Sequence, residues 1–312
     1  MRLHLLRWQG LLGLQDFQVV QGLVFSLLAL LTLVGSLLFP PLTPQHEWWL
    51  AAGLILVLGV PHGAFDPLFA QAFWHIKTPA VWLGFAVAYL LLAASVVLLW
   101  WWLPMVFLIG FLAVSVLHFS GDLSAGATFF QRLVYGTAVI ALPAVWHAPE
   151  MLRLFSQLVG LSAAQPVVAA LQLIGWPCLL AWLCWVVWAL LRRQRGDGWR
   201  TLDMSALGAL ALSATPLLGF AIYFCAMHSA RHVMRTQQFT SLKPSRMALV
   251  AALPMLALLV LGTLGWTLWP TVADTPISER QLQLLFVALA ALTLPHMLLV
   301  ERLRLTDWQP RP

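Results

Sequence analysis

The sequence has little charge: Asp, Glu, Lys and Arg make up 9% of its 312 residues, where a soluble domain carries about 25%. Such a chain lacks the polar surface to cover itself in water, which excludes an ordinary soluble globular domain. Cysteine is also scarce. Cys178, Cys184 and Cys225 all lie in apolar runs, with no disulfide framework or zinc spacing, and read as small buried hydrophobes. Acidic residues are fewer than basic ones, giving a net charge of +6. The excess does not point to nucleic acid, because the cations cluster in short segments between apolar runs (Arg192, Arg193, Arg195 and Arg200; Arg231, Arg235, Lys243 and Arg246; Arg302 and Arg304). That is how orientation is set in a membrane, where Lys and Arg stay on the cytoplasmic side.

What the chain has in abundance is apolar sequence, 61% of all residues. Runs of the ~20 residues needed to cross a ~30 Å hydrocarbon core recur throughout. The pattern predicts an all-α, polytopic transmembrane helix bundle in a single domain, residues 1–312. Expected membrane segments are 18–39, 47–66, 79–102, 104–120, 130–147, 167–191, 246–269 and 279–300. The run from Val19 to Phe39 reads as a first anchor rather than a cleaved signal.

Residues 201–236 are too long for one crossing and are interrupted at Thr215-Pro216, where proline removes a backbone donor and disfavours helix at the preceding residue. Arg-rich segments flank this stretch on both sides. If both are cytoplasmic, the chain crosses an even number of times between them. Two short helices, 201–214 and 216–236, satisfy that condition, one of them short enough to be re-entrant. The total is then about ten helices in the cell inner (plasma) membrane, with both termini cytoplasmic.

Ionisable residues inside such segments are costly and mark function. They are few here: His62 and Asp66 in VPHGAFDP, His118 and Asp122 in LHFSGD, His228, Arg231 and His232 in YFCAMHSARH, and His296 in LPHMLLVER. On the ten-helix count the histidines fall toward the cytoplasmic ends of even-numbered helices, in one layer of the bundle. Neutral imidazole ligates iron, copper and zinc well. His228 and His232, four residues apart, supply two nitrogens from one helix face, and His62 and His118 complete four metal ligands. Asp66 and Asp122 each follow a histidine by four positions, so each is expected to share a helix face with it and to accept the ring N–H of a ligand histidine. His296 reads either as a helix-to-helix hydrogen bond or as an extra ligand. His4, His46, His75 and His147 fall at loops or helix ends, and Tyr223 with its aromatic neighbours reads as packing.

These motifs resemble the bacteriorhodopsin-related, Brp-like family of membrane-embedded β-carotene 15,15′-dioxygenases. The likeness is carried by Pro61-His62-Gly63-Ala64-Phe65-Asp66, by His118-Phe119 with Asp122, by Tyr223-Phe224-Cys225 through His228-Ser229-Ala230-Arg231-His232, and by Pro295-His296-Met297. The chain departs from the pattern at Pro67, where a second histidine is usual, and at Ser120, which separates His118-Phe119 from Gly121. The resemblance implies an Fe(II) cofactor on His62, His118, His228 and His232. It also implies O₂ and a lipid-soluble carotenoid as substrates, cleavage of the central double bond to two molecules of all-trans-retinal, and hand-off of retinal to a rhodopsin. Membrane lipids are expected partners and nucleic acid is not. Read from the residues alone, three other classes stay open: a two-iron desaturase or hydroxylase, for which five intramembrane histidines are few; a bis-histidine haem protein; and a transporter with proton-relaying histidines.

Overall fold

The computed structural model describes residues 14–123, 127–192, 197–268 and 277–304. It is helical, with no strand among the described residues. In chain order the helices are α1 (Leu14–Leu38), α2 (Pro44–Leu54), α3 (Asp66–Trp74), α4 (Pro79–Trp102), α5 (Pro104–Phe119), α6 (Phe129–Trp146), α7 (Ala148–Val159), α8 (Leu161–Arg192), α9 (Asp197–Ser213), α10 (Pro216–Tyr223), α11 (Ala230–Thr240), α12 (Pro244–Leu268) and α13 (Ile277–Arg304). Proline punctuates the starts: Pro44, Pro79, Pro104, Pro216 and Pro244 each open a helix, where a missing N–H costs nothing and the fixed φ favours helix. Thr43 and Thr78 cap their helices, and Thr128 forms a reciprocal capping box with Gln131 at the start of α6.

Eight helical segments are long and apolar enough to cross a membrane, and the chain is a multi-pass membrane protein. Residues 201–236 form a further pair of helical stretches, broken at Thr215. Asp203, near the start of α9, pairs with Arg231 of α11 at 2.7 Å, so the chain turns back at the break as an antiparallel hairpin. Its tip is held at the opposite end of the bundle, where Thr215 Oγ1 donates to Glu47 at the start of α2 and His147 Nε2 meets the Leu212 carbonyl at 3.1 Å. The expected division of 201–236 into two helical arms at Thr215-Pro216 is therefore present. The short helix α7 lies between α6 and α8, in the stretch left between the expected segments 130–147 and 167–191.

Two stretches of the bundle are not regular α-helix. Between α2 and α3 the backbone loosens to a π-helix over Ile55–Gly59, then tightens to a 3-10 helix over Val60–Phe65. Between α10 and α11 it is π over Phe224–Ser229. π-turns concentrate at functional sites because they re-aim side chains that a regular helix would hold in register.

The main core joins Phe25, Phe119, Tyr135, Leu142, Met204, Leu210 and Tyr223 from α1, α5, α6, α9 and α10. By contrast α4 has no fully buried residue, and α12 exposes Leu249, Leu253, Leu256, Leu259 and Val260, as helices facing lipid do. Cys178 and Cys225 are buried as expected, whereas Cys184 is exposed on the outer face of α8. His46 and His75 are exposed, His147 is half-buried, and His4, Arg193 and Arg195 lie outside the described residues.

Candidate metal centre

Four separate stretches of the chain bring five buried imidazoles into one cluster. His62 comes from the 3-10 segment, His118 from the last turn of α5, His228 from the π segment, His232 from α11 and His296 from α13. The His62 ring lies 5.0, 5.3 and 5.1 Å, centroid to centroid, from His228, His232 and His296. His118 lies 4.5 Å from His228 and 5.4 Å from His296, and His232 lies 5.0 Å from His296. The expected quartet and the unassigned His296 thus meet in one place. Three of them, His62, His118 and His228, offer ring nitrogens that all lie within 4.8 Å of one another.

The anchoring of the rings decides which nitrogen is available. A carbonyl oxygen can only accept, so His62 Nδ1–H donates to Gly59 O, at 2.5 Å, and Ser229 Oγ sits 3.1 Å from the same nitrogen. His228 Nδ1 stands 2.9 Å from Asp122 Oδ2, and His296 Nδ1 stands 2.6 Å from Asp66 Oδ1. Each ring held through Nδ1–H presents an Nε2 lone pair. The Nε2 atoms of His228 and His296 are buried with no hydrogen-bond partner.

The carboxylates do not serve the histidines that precede them by four residues. Asp66 binds His296 rather than His62, and Asp122 binds His228 rather than His118. The i, i+4 argument requires continuous α-helix, and neither stretch has it. His62 lies in a 3-10 helix with about three residues per turn, and Asp122 lies beyond the end of α5 in a 3-10 turn over Ser120–Asp122. Both carboxylates are turned onto a neighbouring helix.

Two tyrosines complete these links. Tyr89 of α4 donates to Asp66 Oδ2 at 2.8 Å, and Tyr223 donates to Asp122 Oδ2 at 2.7 Å. Tyr223 is therefore more than packing, and Tyr89 was missed by the motif reading. The signal was present: a tyrosine inside an apolar run carries a hydroxyl that needs a partner. Arg231 does not join the imidazoles. It donates to Asp203, to Gln21 Oε1 at 2.7 Å and to the Asp122 carbonyl at 2.6 Å, while Arg235 reaches the Gly121 carbonyl at 3.0 Å. The loop carrying Asp122 is thus clasped through its backbone carbonyls.

The cluster borders a largely apolar cavity of about 340 Å³. His62, His118 and His296 form part of its wall, with Asp66 and Tyr89, and α4 and α12 enclose it through Phe85, Ala86, Ala257 and Leu258. Those two helices are the least buried of the long apolar ones, as lipid-facing helices are, so the cavity lies between the histidines and the bilayer side of the bundle. Phe220 and Phe224 line it as well.

The donor set fits a transition metal. Neutral imidazoles suit iron, copper, zinc and nickel, the Nδ1 atoms of His62, His228 and His296 face carbonyl or carboxylate acceptors as ligand histidines require, and ring nitrogens of His62, His118 and His228 converge within 4.8 Å.

Comparison with known proteins agrees with this picture. No solved structure matches the chain. A protein from an uncultured marine bacterium, 66A03, named beta-carotene 15,15'-dioxygenase, is 31% identical over 261 residues, covering 81% of this chain and 92% of that protein. The family model for beta-carotene 15,15'-dioxygenase matches residues 53–304, a range that includes all five clustered histidines and both carboxylates. The chain belongs to the beta-carotene 15,15'-dioxygenase family.

Proposed function

We propose that this protein cleaves the central double bond of β-carotene with O₂ to give two molecules of all-trans-retinal, at an iron(II) held by His62, His118, His228 and His232. The observation that carries the reading is the position of the histidine cluster, buried in the bundle yet forming the wall of an apolar cavity behind two lipid-facing helices. A carotenoid is long, rigid and dissolved in lipid, and burial of its polyene against apolar and aromatic walls needs few polar anchors.

Iron(II), when bound, supplies the one-electron chemistry that ground-state O₂ needs to react with an alkene. The protein's own residues do the rest. The Gly59 carbonyl, Asp122 and Asp66 hold the Nδ1 protons of His62, His228 and His296, which fixes the orientation of those three rings. Phe85, Phe111 and Phe224 bound the space beside the rings and keep bulk water from the reacting double bond. Both oxygen atoms end in the two aldehydes, so no further reductant is consumed and no protein nucleophile is required.

The histidine-bearing end is read as cytoplasmic. Lys77, Arg132, Arg235, Lys243, Arg246, Arg302 and Arg304 lie at the helix termini on that side, against Arg153 and Arg280 on the other. Expression in cells that accumulate β-carotene tests the activity directly. Loss of the orange colour with retinal appearing on chromatography supports it; retained colour in cells with well-expressed protein in the membrane overturns it.

A further inference from the structure

His228 and His296 occupy equivalent settings on different helices. In each, the imidazole Nδ1 is held by a buried carboxylate from another element, and the second oxygen of that carboxylate accepts a tyrosine hydroxyl. The two links are Tyr223–Asp122–His228 and Tyr89–Asp66–His296, with separations of 2.7 and 2.9 Å in the first and 2.8 and 2.6 Å in the second. In each, the remaining Nε2 is buried and without a hydrogen-bond partner. His296 is also within 5.4 Å, ring to ring, of His62, His118 and His232.

Resting on the metal-centre reading above, we propose that His296 is a ligand of the same metal, and that Asp66 and Tyr89 are its positioning residues. A histidine whose role was to join two helices would be satisfied by the Asp66 contact alone. Nothing in that role requires its second nitrogen to be buried among four other imidazoles, where lone pairs repel unless a cation lies between them. The local backbone agrees. Pro295 lies inside α13 immediately before His296, so the helix lacks one hydrogen bond at this turn, as the 3-10 segment that carries His62 and the π segment that carries His228 also depart from regular α-helical bonding. Tyr89 adds a further consequence. It lines the cavity while holding Asp66, so a substrate lying against Tyr89 touches the group that orients this ligand.

The test uses purified full-length protein in detergent, stripped of metal and titrated with Co(II), whose visible absorption reports the number and kind of ligands. His296→Ala is expected to weaken Co(II) binding and change the spectrum, as His228→Ala does. Asp66→Asn and Tyr89→Phe are expected to retain the wild-type band pattern with weaker binding, about 10–100-fold for the carboxylate, the usual loss when a ligand's outer partner is removed. If His296→Ala fails to fold, His296→Gly supplemented with imidazole takes its place, and recovery of the wild-type spectrum supports ligation. Wild-type affinity and spectrum in folded His296→Ala, with binding lost in His228→Ala, overturns the assignment and leaves the metal centre standing. Failure of the wild-type protein to bind Co(II) or iron overturns the metal centre itself.

Discussion

His228 Nδ1 lies 2.9 Å from Oδ2 of Asp122, a residue 106 positions away in the chain and on a different pass of the bundle. That contact fixes the tautomer of the ring and points Nε2 at the other histidines. Asp122→Asn keeps the shape but offers an amide that is a weaker acceptor and can present its NH₂ instead. The expected outcome is a loss of metal affinity of about 10–100-fold with the protein still folded. Iron per chain after dialysis, measured beside a thermal unfolding curve, checks it.

The carbonyl of Asp122 is held in turn by Arg231, which is 2% exposed and ion-paired with Asp203. This pair closes the α9 to α11 hairpin, so it joins the fold to the site. Arg231→Met leaves Asp203 and Gln21 buried without their cation. Breaking a buried pair by removing one partner costs about 3–5 kcal/mol, and the expected result is a large fall in unfolding temperature. Replacing both, as Arg231→Met with Asp203→Leu, is expected to recover much of that stability, because an apolar pair of similar volume leaves no uncompensated charge.

Much of this was legible in the sequence, and the exceptions share one cause. Composition and hydropathy predict a polytopic helical bundle. The Arg-rich flanks and Thr215-Pro216 predict the hairpin that the Asp203–Arg231 pair makes visible. The rarity of charge inside apolar runs singles out His62, His118, His228, His232 and His296. What periodicity could not give is the partner of each histidine, because π and 3-10 segments interrupt the 3.6-residue repeat on which such pairing rests. Local backbone of this kind depends on tertiary packing. A Cβ on Gly59, at the end of the first π segment, would overlap the ring of Phe224 at the start of the second, so these two irregular segments fit against each other.

A second close approach positions His118. A Cβ on Gly136 of α6 would overlap the Val116 carbonyl and stand 3.0 Å from the Ser120 amide, both backbone atoms of the turn that carries His118. Gly136→Ala therefore has to push α5 and α6 apart. It is expected to destabilise by about 1–3 kcal/mol, the usual cost of overpacking, and to lower iron content through displacement of His118. Gly110→Ala on α5, where nothing lies within 4 Å, is the control. It is expected to match or exceed wild-type stability, since alanine favours helix over glycine by about 1 kcal/mol. Unfolding curves and metal analysis of the two variants separate a packing effect from a general intolerance of substitution.

Ala86 of α4 and Ala257 of α12 line the cavity from the side of the two exposed helices, away from the histidine rings. Phenylalanine at either position fills space that the polyene needs. The cavity, about 340 Å³, is already near the lower end of the ~300–1,000 Å³ usual for ligand pockets. Ala86→Phe and Ala257→Phe are therefore expected to retain wild-type iron content and stability while retinal formation falls. The expected fall is on the order of tenfold or more, since a misplacement of ~1 Å can cost about 10²-fold. Time courses of retinal release on detergent-dispersed β-carotene, normalised to bound iron, provide the measurement. Wild-type rates in both variants would move the substrate to another route into the cluster. A parallel loss of iron would show instead that these alanines support the metal centre rather than the substrate.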